Sequence, residues 1–142
     1  MSAEDYEAAA EVFSNMLEEN PRLDKAANNL AAVIADHQYD DPAKLDQALK
    51  LAERFQASEN PYFLDTLGWV HYRRGDRNQA AIFPRRAVEN APDMSQFRYH
   101  LGVVYYESGQ ADLARKELEK AVADGAEYPE LADARALLGK LK

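Results

Sequence analysis

Three histidines, His37, His71 and His100, are the side chains of this chain suited to moving a proton or holding a metal near neutral pH. None stands four residues from another, and neither a His-Glu-x-x-His pattern nor a carboxylate-flanked metal spacing occurs. With no cysteine there is no thiolate nucleophile, no thiolate zinc site and no disulfide, and no glycine-rich loop is present to cradle a phosphate. The 25 Asp and Glu residues lie mostly on faces that helical periodicity turns toward solvent. No catalytic residue, metal site or cofactor is therefore expected. What remains is recognition: one Trp and eight Tyr, large rings with a polar tip, are the side chain types that anchor partners.

The chain of 142 residues is 46% hydrophobic, enough for one domain with a true core. A formal charge of −8 and a pI near 4.9 oppose phosphate backbones, so no nucleic-acid partner is expected. No apolar run reaches the roughly 18 residues that would suggest a bilayer span, and Met1 to Ala10 is acidic and alanine-rich, unlike a signal peptide. A soluble protein without membrane insertion is expected, cytoplasmic or periplasmic, with cysteine usage silent on the compartment.

The elements that would carry the rings follow from a repeat. Leu67-Gly68 returns at Leu101-Gly102 after 34 residues, a period of paired helices. Leu64, Leu67, Gly68 and His71 share one helical stripe, followed by Ala80, Ala87 and Pro92; the next copy has Arg98, Leu101, Gly102, Tyr105, Ala114, Leu118 and Ala121. A weaker copy runs through Ala27, Leu30, Ala31 and Ile34, then Ala48, Ala52 and Phe55, with a long internal loop at Asp36 to Asp41. Ala9, Phe13, Met16 and Pro21 fit a second helix without its first, so the phase predicts a chain opening on half a hairpin inside a larger protein. Helices are expected at 4–19, 23–36, 42–57, 61–74, 77–90, 95–108, 111–124 and 129–141, and Pro84 should kink the fifth.

These spacings match the tetratricopeptide motif, in which a small residue lets two antiparallel helices approach closely. The resemblance implies an all-α, right-handed superhelical stack of antiparallel helix pairs. Residues 1–21 would be the second helix of a truncated repeat, 24–60, 61–94 and 95–128 three repeats, and 129–142 a capping helix. The runs Asn29-Leu30-Ala31, Leu64-Asp65-Thr66-Leu67-Gly68-Trp69, Arg98-Tyr99-His100-Leu101 and Pro129 to Leu138 resemble the C-terminal repeats of bacterial multi-repeat proteins associated with exopolysaccharide production and PEP-CTERM sorting.

In such a stack the first helix of each pair lines a concave groove. Counting from the small residue of each repeat places Tyr62, Asp65, Trp69, Tyr72 and Arg73 there, then Gln96, Tyr99, Val103, Tyr106 and Glu107, and Lys25, Asn28, Ala32, Ala35 and Asp36. Tyr105 belongs to the packing stripe, and His100 is expected to be a bystander. Repeat domains that grip a C-terminal carboxylate use Lys, Asn and Arg where this chain has Asn28, Ala32, Thr66, Gln96 and His100, so no such clamp is expected. The expected function is a non-catalytic scaffold holding a peptide or partner segment by aromatic contacts, with Arg73 and Lys25 as positive points and Asp65 as an acceptor. Two alternatives are a structural segment that self-assembles through Val12, Phe13, Met16 and Leu17 of an uncovered N-terminal helix, and an aromatic groove that stacks on sugar rings.

Overall fold

The computed structural model describes residues 2–123 and 125–142. Every regular element among them is helical: α1 (Ala3–Glu19), α2 (Asp24–His37), α3 (Pro42–Ala52) running into a 3-10 turn (Glu53–Phe55), α4 (Pro61–Arg74), α5 (Arg77–Ala80), α6 (Ile82–Asn90), α7 (Ser95–Glu107), α8 (Ala111–Ala121) and α9 (Leu131–Leu141). Consecutive helices pack as antiparallel neighbours, α1 on α2, α2 on α3, α4 on α5 and α6, α7 on α8 and α8 on α9, while α2, α4 and α7 pack side by side. That row of first helices is the scaffold of the site.

Local chemistry explains the boundaries. Ser2 and Asp5 close α1 with a reciprocal capping box. Asp41 accepts from the backbone N–H of Ala43 and Asn60 from that of Tyr62, each followed by proline at the first helical position, where a missing N–H costs nothing. Gly75 ends α4 at φ 79°, a left-handed conformation costly for a residue with a Cβ. The junction after Phe55 is held from outside: Arg86 donates to the carbonyls of Gln56 and Ser58 at 2.7 and 2.9 Å, and Asn90 to that of Glu59 at 2.9 Å.

The core is built from the expected stripes. Ala27, Leu30, Ala31 and Ile34 meet Ala48, Ala52 and Phe55; Leu64 and Leu67 meet Phe83, Ala87 and Val88; Leu101 and Tyr105 are buried beside Ala114. In α1, Phe13 and Leu17 pack against the core, whereas Val12 is 55% and Met16 42% exposed. In α9, Ala134 and Leu138 bury themselves against Leu118.

Three boundaries differ from expectation. The loop between α2 and α3 is residues 38–41, shorter than read, because α2 continues through His37 and its end is closed by the Gln38 N–H donating to Ile34 O. The third helix stops at Ala52 and tightens into a 3-10 turn before the junction. Pro84 does more than kink its helix, which breaks into α5 and α6 at Ala81. Pro84 has no N–H for the carbonyl of Ala80, and its ring is fully buried against Gly68.

Candidate functional site

The row of first helices brings the rings of α4 and α7 into one ladder. Trp69 stacks on Tyr72 at 4.5 Å and on His100 at 4.1 Å; Tyr99 lies 6.5 Å from Trp69 and 6.3 Å from Tyr128 in the segment after α8. Tyr62, earlier on α4, meets Phe97 edge-on at 5.3 Å. Aromatics spaced by helical turns on neighbouring first helices must meet when those helices pack side by side. Burial pushes the phenols of Tyr99 and Tyr128 up to about 12, with Glu130 adding to both. Both rings stay protonated donors at physiological pH.

Two clefts are walled in part by rings of the ladder, Tyr72 in one and Trp69 in the other. One, of about 340 Å³, lies between Tyr39, Tyr72, Arg73, Val104, Glu107 and Ser108. Arg73 is not a free positive point there. Its Nε donates to the carbonyl of Ala35 at 2.8 Å, near the end of α2, and its guanidinium lies 3.7 Å over the Tyr39 ring. Arg73→Lys keeps the charge but not the planar fork, and should cost about 1 kcal/mol in chemical denaturation and shift the Tyr39 ring resonances. An unchanged midpoint with unmoved Tyr39 resonances would show that the contact contributes nothing.

The second cleft is smaller, about 150 Å³. Asn28, Ala32 and Asp36 of α2, Tyr62, Asp65, Thr66 and Trp69 of α4, and Gln96, Phe97 and His100 of α7 line it. All five places at which a carboxylate clamp would have had its polar residues are in this one pocket. His100 is no bystander: it is 4% exposed, and its Nδ1–H donates to both carboxylate oxygens of Asp65 at 2.8 Å. Burial by itself would lower the imidazole pKa, but the charge and hydrogen bond of Asp65, with Asp36 and Glu130 behind, raise it. Asp36 is pushed up by its own burial despite the attraction of His100. Gln96 completes the rim by donating to Glu130.

The expected groove residues fall into three groups. Tyr62, Asp65, Trp69, Asn28 and Gln96 meet in the small cleft, and Tyr72, Arg73 and Glu107 in the larger one. Trp69, Asp65 and Val103, expected on an open face, are only 6%, 7% and 8% exposed; for Trp69 and Asp65 the reason is that α7 lies against that side of α4 and its rings cover them. Lys25, Tyr99, Val103 and Tyr106 line neither cleft; Lys25 and Tyr106 are exposed and Tyr99 is half-buried. Sequence reasoning missed Tyr39 and Tyr128, which lie in connecting segments outside the repeat count, and the pairing of His100 with Asp65. The one available signal for His100 was its spacing of 35 residues from Asp65, close to one repeat. The other two histidines have structural partners, His37 stacked on Tyr6 at 3.4 Å and His71 bonded to Asp76 at 3.0 Å.

Among the described residues, three buried side-chain polar atoms have no hydrogen-bond partner: Asn28 Oδ1, Trp69 Nε1 and His100 Nε2. All three belong to residues of the small cleft. A buried polar group left without a partner costs about 1–3 kcal/mol, so donors and acceptors gathered in the lining of one cleft mark it as a place for a polar partner. Among the described residues no group of three or more His, Asp or Glu could hold a metal ion, and no helix is long and apolar enough to cross a membrane.

The helix pairing and the groove define the fold as an all-α tetratricopeptide-repeat solenoid, an architecture that generally serves as a non-catalytic protein-interaction scaffold. Residues 66–132 match the tetratricopeptide repeat family. The chain is similar in structure to a thermophilic TPR protein of Thermus thermophilus, with a TM-score of 0.76, 21% identity, and coverage of 96% of this chain and 72% of that one. It is also similar to MamA, with a TM-score of 0.72, 19% identity, and coverage of 96% and 77%. No curated protein sequence matches the chain. The association with exopolysaccharide production and PEP-CTERM sorting finds no support in these likenesses.

Proposed function

We propose that this chain is a non-catalytic adaptor that holds a peptide or extended partner segment along the face formed by α2, α4 and α7. The observation that carries this reading is the ladder Tyr72, Trp69, Tyr99 and Tyr128, with Tyr72 in the wall of one cleft and Trp69, beside Tyr62, in the wall of the other. Such rings bury much area for little loss of side-chain freedom, which is how interface anchors work. Titration of the isotope-labelled chain with a peptide pool should move the resonances of Tyr72 and Tyr99 and the Trp69 indole. Tyr99→Ala should weaken binding about tenfold or more, about 1.4 kcal/mol. Movement with acidic polysaccharide alone would transfer the groove to sugar rings. Silence at these rings with both ligands would remove the groove.

A second reading has its own observation. Val12 and Met16 of α1 are exposed on the side that another hairpin would cover in a longer stack, which favours a segment that packs on further repeats or on a second copy. Concentration-dependent shifts confined to Val12, Phe13 and Met16 would mark that role.

A further inference from the structure

Within the groove reading proposed above, we infer that the small cleft is a recognition pocket for a side-chain carboxamide, that of an asparagine or glutamine presented by the partner. Two of its unpaired buried atoms belong to donors: the indole Nε1–H of Trp69, and Nε2–H of a His100 ring whose Nδ1–H is committed to Asp65. The third, Asn28 Oδ1, is an acceptor, and the half-buried carboxylate of Asp36 in the same cleft is another. The two donor rings lie together, Trp69 and His100 stacked at 4.1 Å with an interplanar angle of 26°. A primary amide answers this set group for group. Its oxygen takes two donors and its two N–H groups reach two acceptors.

Other chemistries leave something unmet. A carboxylate would enter beside Asp36, Asp65 and Glu130 against a single imidazole. An ammonium or guanidinium would leave the Trp69 and His100 donors unpaired and face a ring that the surrounding carboxylates hold toward its charged form. An apolar side chain would satisfy none of the three buried atoms. A main-chain amide offers the right oxygen but a single N–H for the two acceptors of α2. The cleft, about 150 Å³, has room for a short side chain.

The full chain, uniformly labelled with nitrogen-15, provides the test, because Trp69 is its single tryptophan and its indole resonance reports this pocket directly. Propionamide, N-methylacetamide, propionate and propylammonium are titrated separately at pH 6.5. The expected result is a saturable indole shift with propionamide at least tenfold tighter than with the other three, abolished in Asn28→Leu while the remaining spectrum stays dispersed. No shift with propionamide, equal shifts with all four, or tighter binding of N-methylacetamide, the main-chain mimic, would each overturn the assignment. The peptide titration separates this failure from that of the groove. Tyr72 and Tyr99 shifts that persist with peptide while propionamide selectivity is absent would remove the carboxamide pocket alone; loss of both would remove the groove itself.

Discussion

Gly68→Ala should lower the stability of this chain by about 2 kcal/mol, although alanine is the better helix former by about 1 kcal/mol. A Cβ at Gly68 would lie 2.5 Å from Cγ of Pro84, closer still to Cδ, and 3.1 Å from its backbone nitrogen. The proline ring is fused to its own backbone, so it cannot turn aside as a leucine tip could. Helices α4 and α6 must separate, and overpacking of this kind costs about 1–3 kcal/mol or more. The thermal midpoint should fall by roughly 4–8 °C. Gly139 is the internal control. It lies in α9, where an added methyl would meet nothing within 4 Å, so Gly139→Ala should gain about 0.5–1 kcal/mol from helix propensity alone. A second substitution tests the cause: in a Pro84→Ala background the Gly68→Ala cost should shrink, giving a coupling energy of about 1 kcal/mol or more in a double-mutant cycle. Strict additivity would show that the clash is relieved elsewhere.

Asp65→Asn should cost about 2–3 kcal/mol at pH 5.5 and about 1 kcal/mol at pH 8.5, because it leaves the His100 ring buried without its counter-charge. The sign follows from the raised pKa of His100 in the folded chain. The charged ring binds its proton more tightly in the native state, so its contribution is fully present below the unfolded value of about 6.5 and is lost as pH rises through the higher folded value. In the variant the amide oxygen can still accept from Nδ1–H of the neutral ring, which is why the alkaline penalty is smaller. Denaturant midpoints of both proteins across this range, with the His100 ring followed by proton resonance, check the claim. A penalty independent of pH, or a His100 pKa unmoved by the substitution, would mean that Asp65 acts by shape and not by charge.

The architecture was legible from three features: the return of Leu67-Gly68 at Leu101-Gly102, the apolar stripes on either side, and the caps at Asp41 and Asn60. These are local or periodic, and a helix with one apolar face has few ways to bury it. The ends of helices were less so. The break at Ala81 depends on how the ring of Pro84 packs on Gly68, which is a contact between two elements and has no one-dimensional signature.

The site divides along the same line. Periodicity by itself determined that Tyr62, Trp69, Tyr72 and Tyr99 would share the face of the first helices, since direction along a helix follows from residue number. It could not tell which of them water would reach. Trp69 is covered because the α7 rings lie over it, and His100 becomes the partner of Asp65 because two helices one repeat apart pack at a distance that lets a short carboxylate meet a ring. Exposure, pairing and pKa are properties of the space between helices. Only the tertiary structure decided them, and with them the convergence of Asn28, Trp69 and His100 on one pocket.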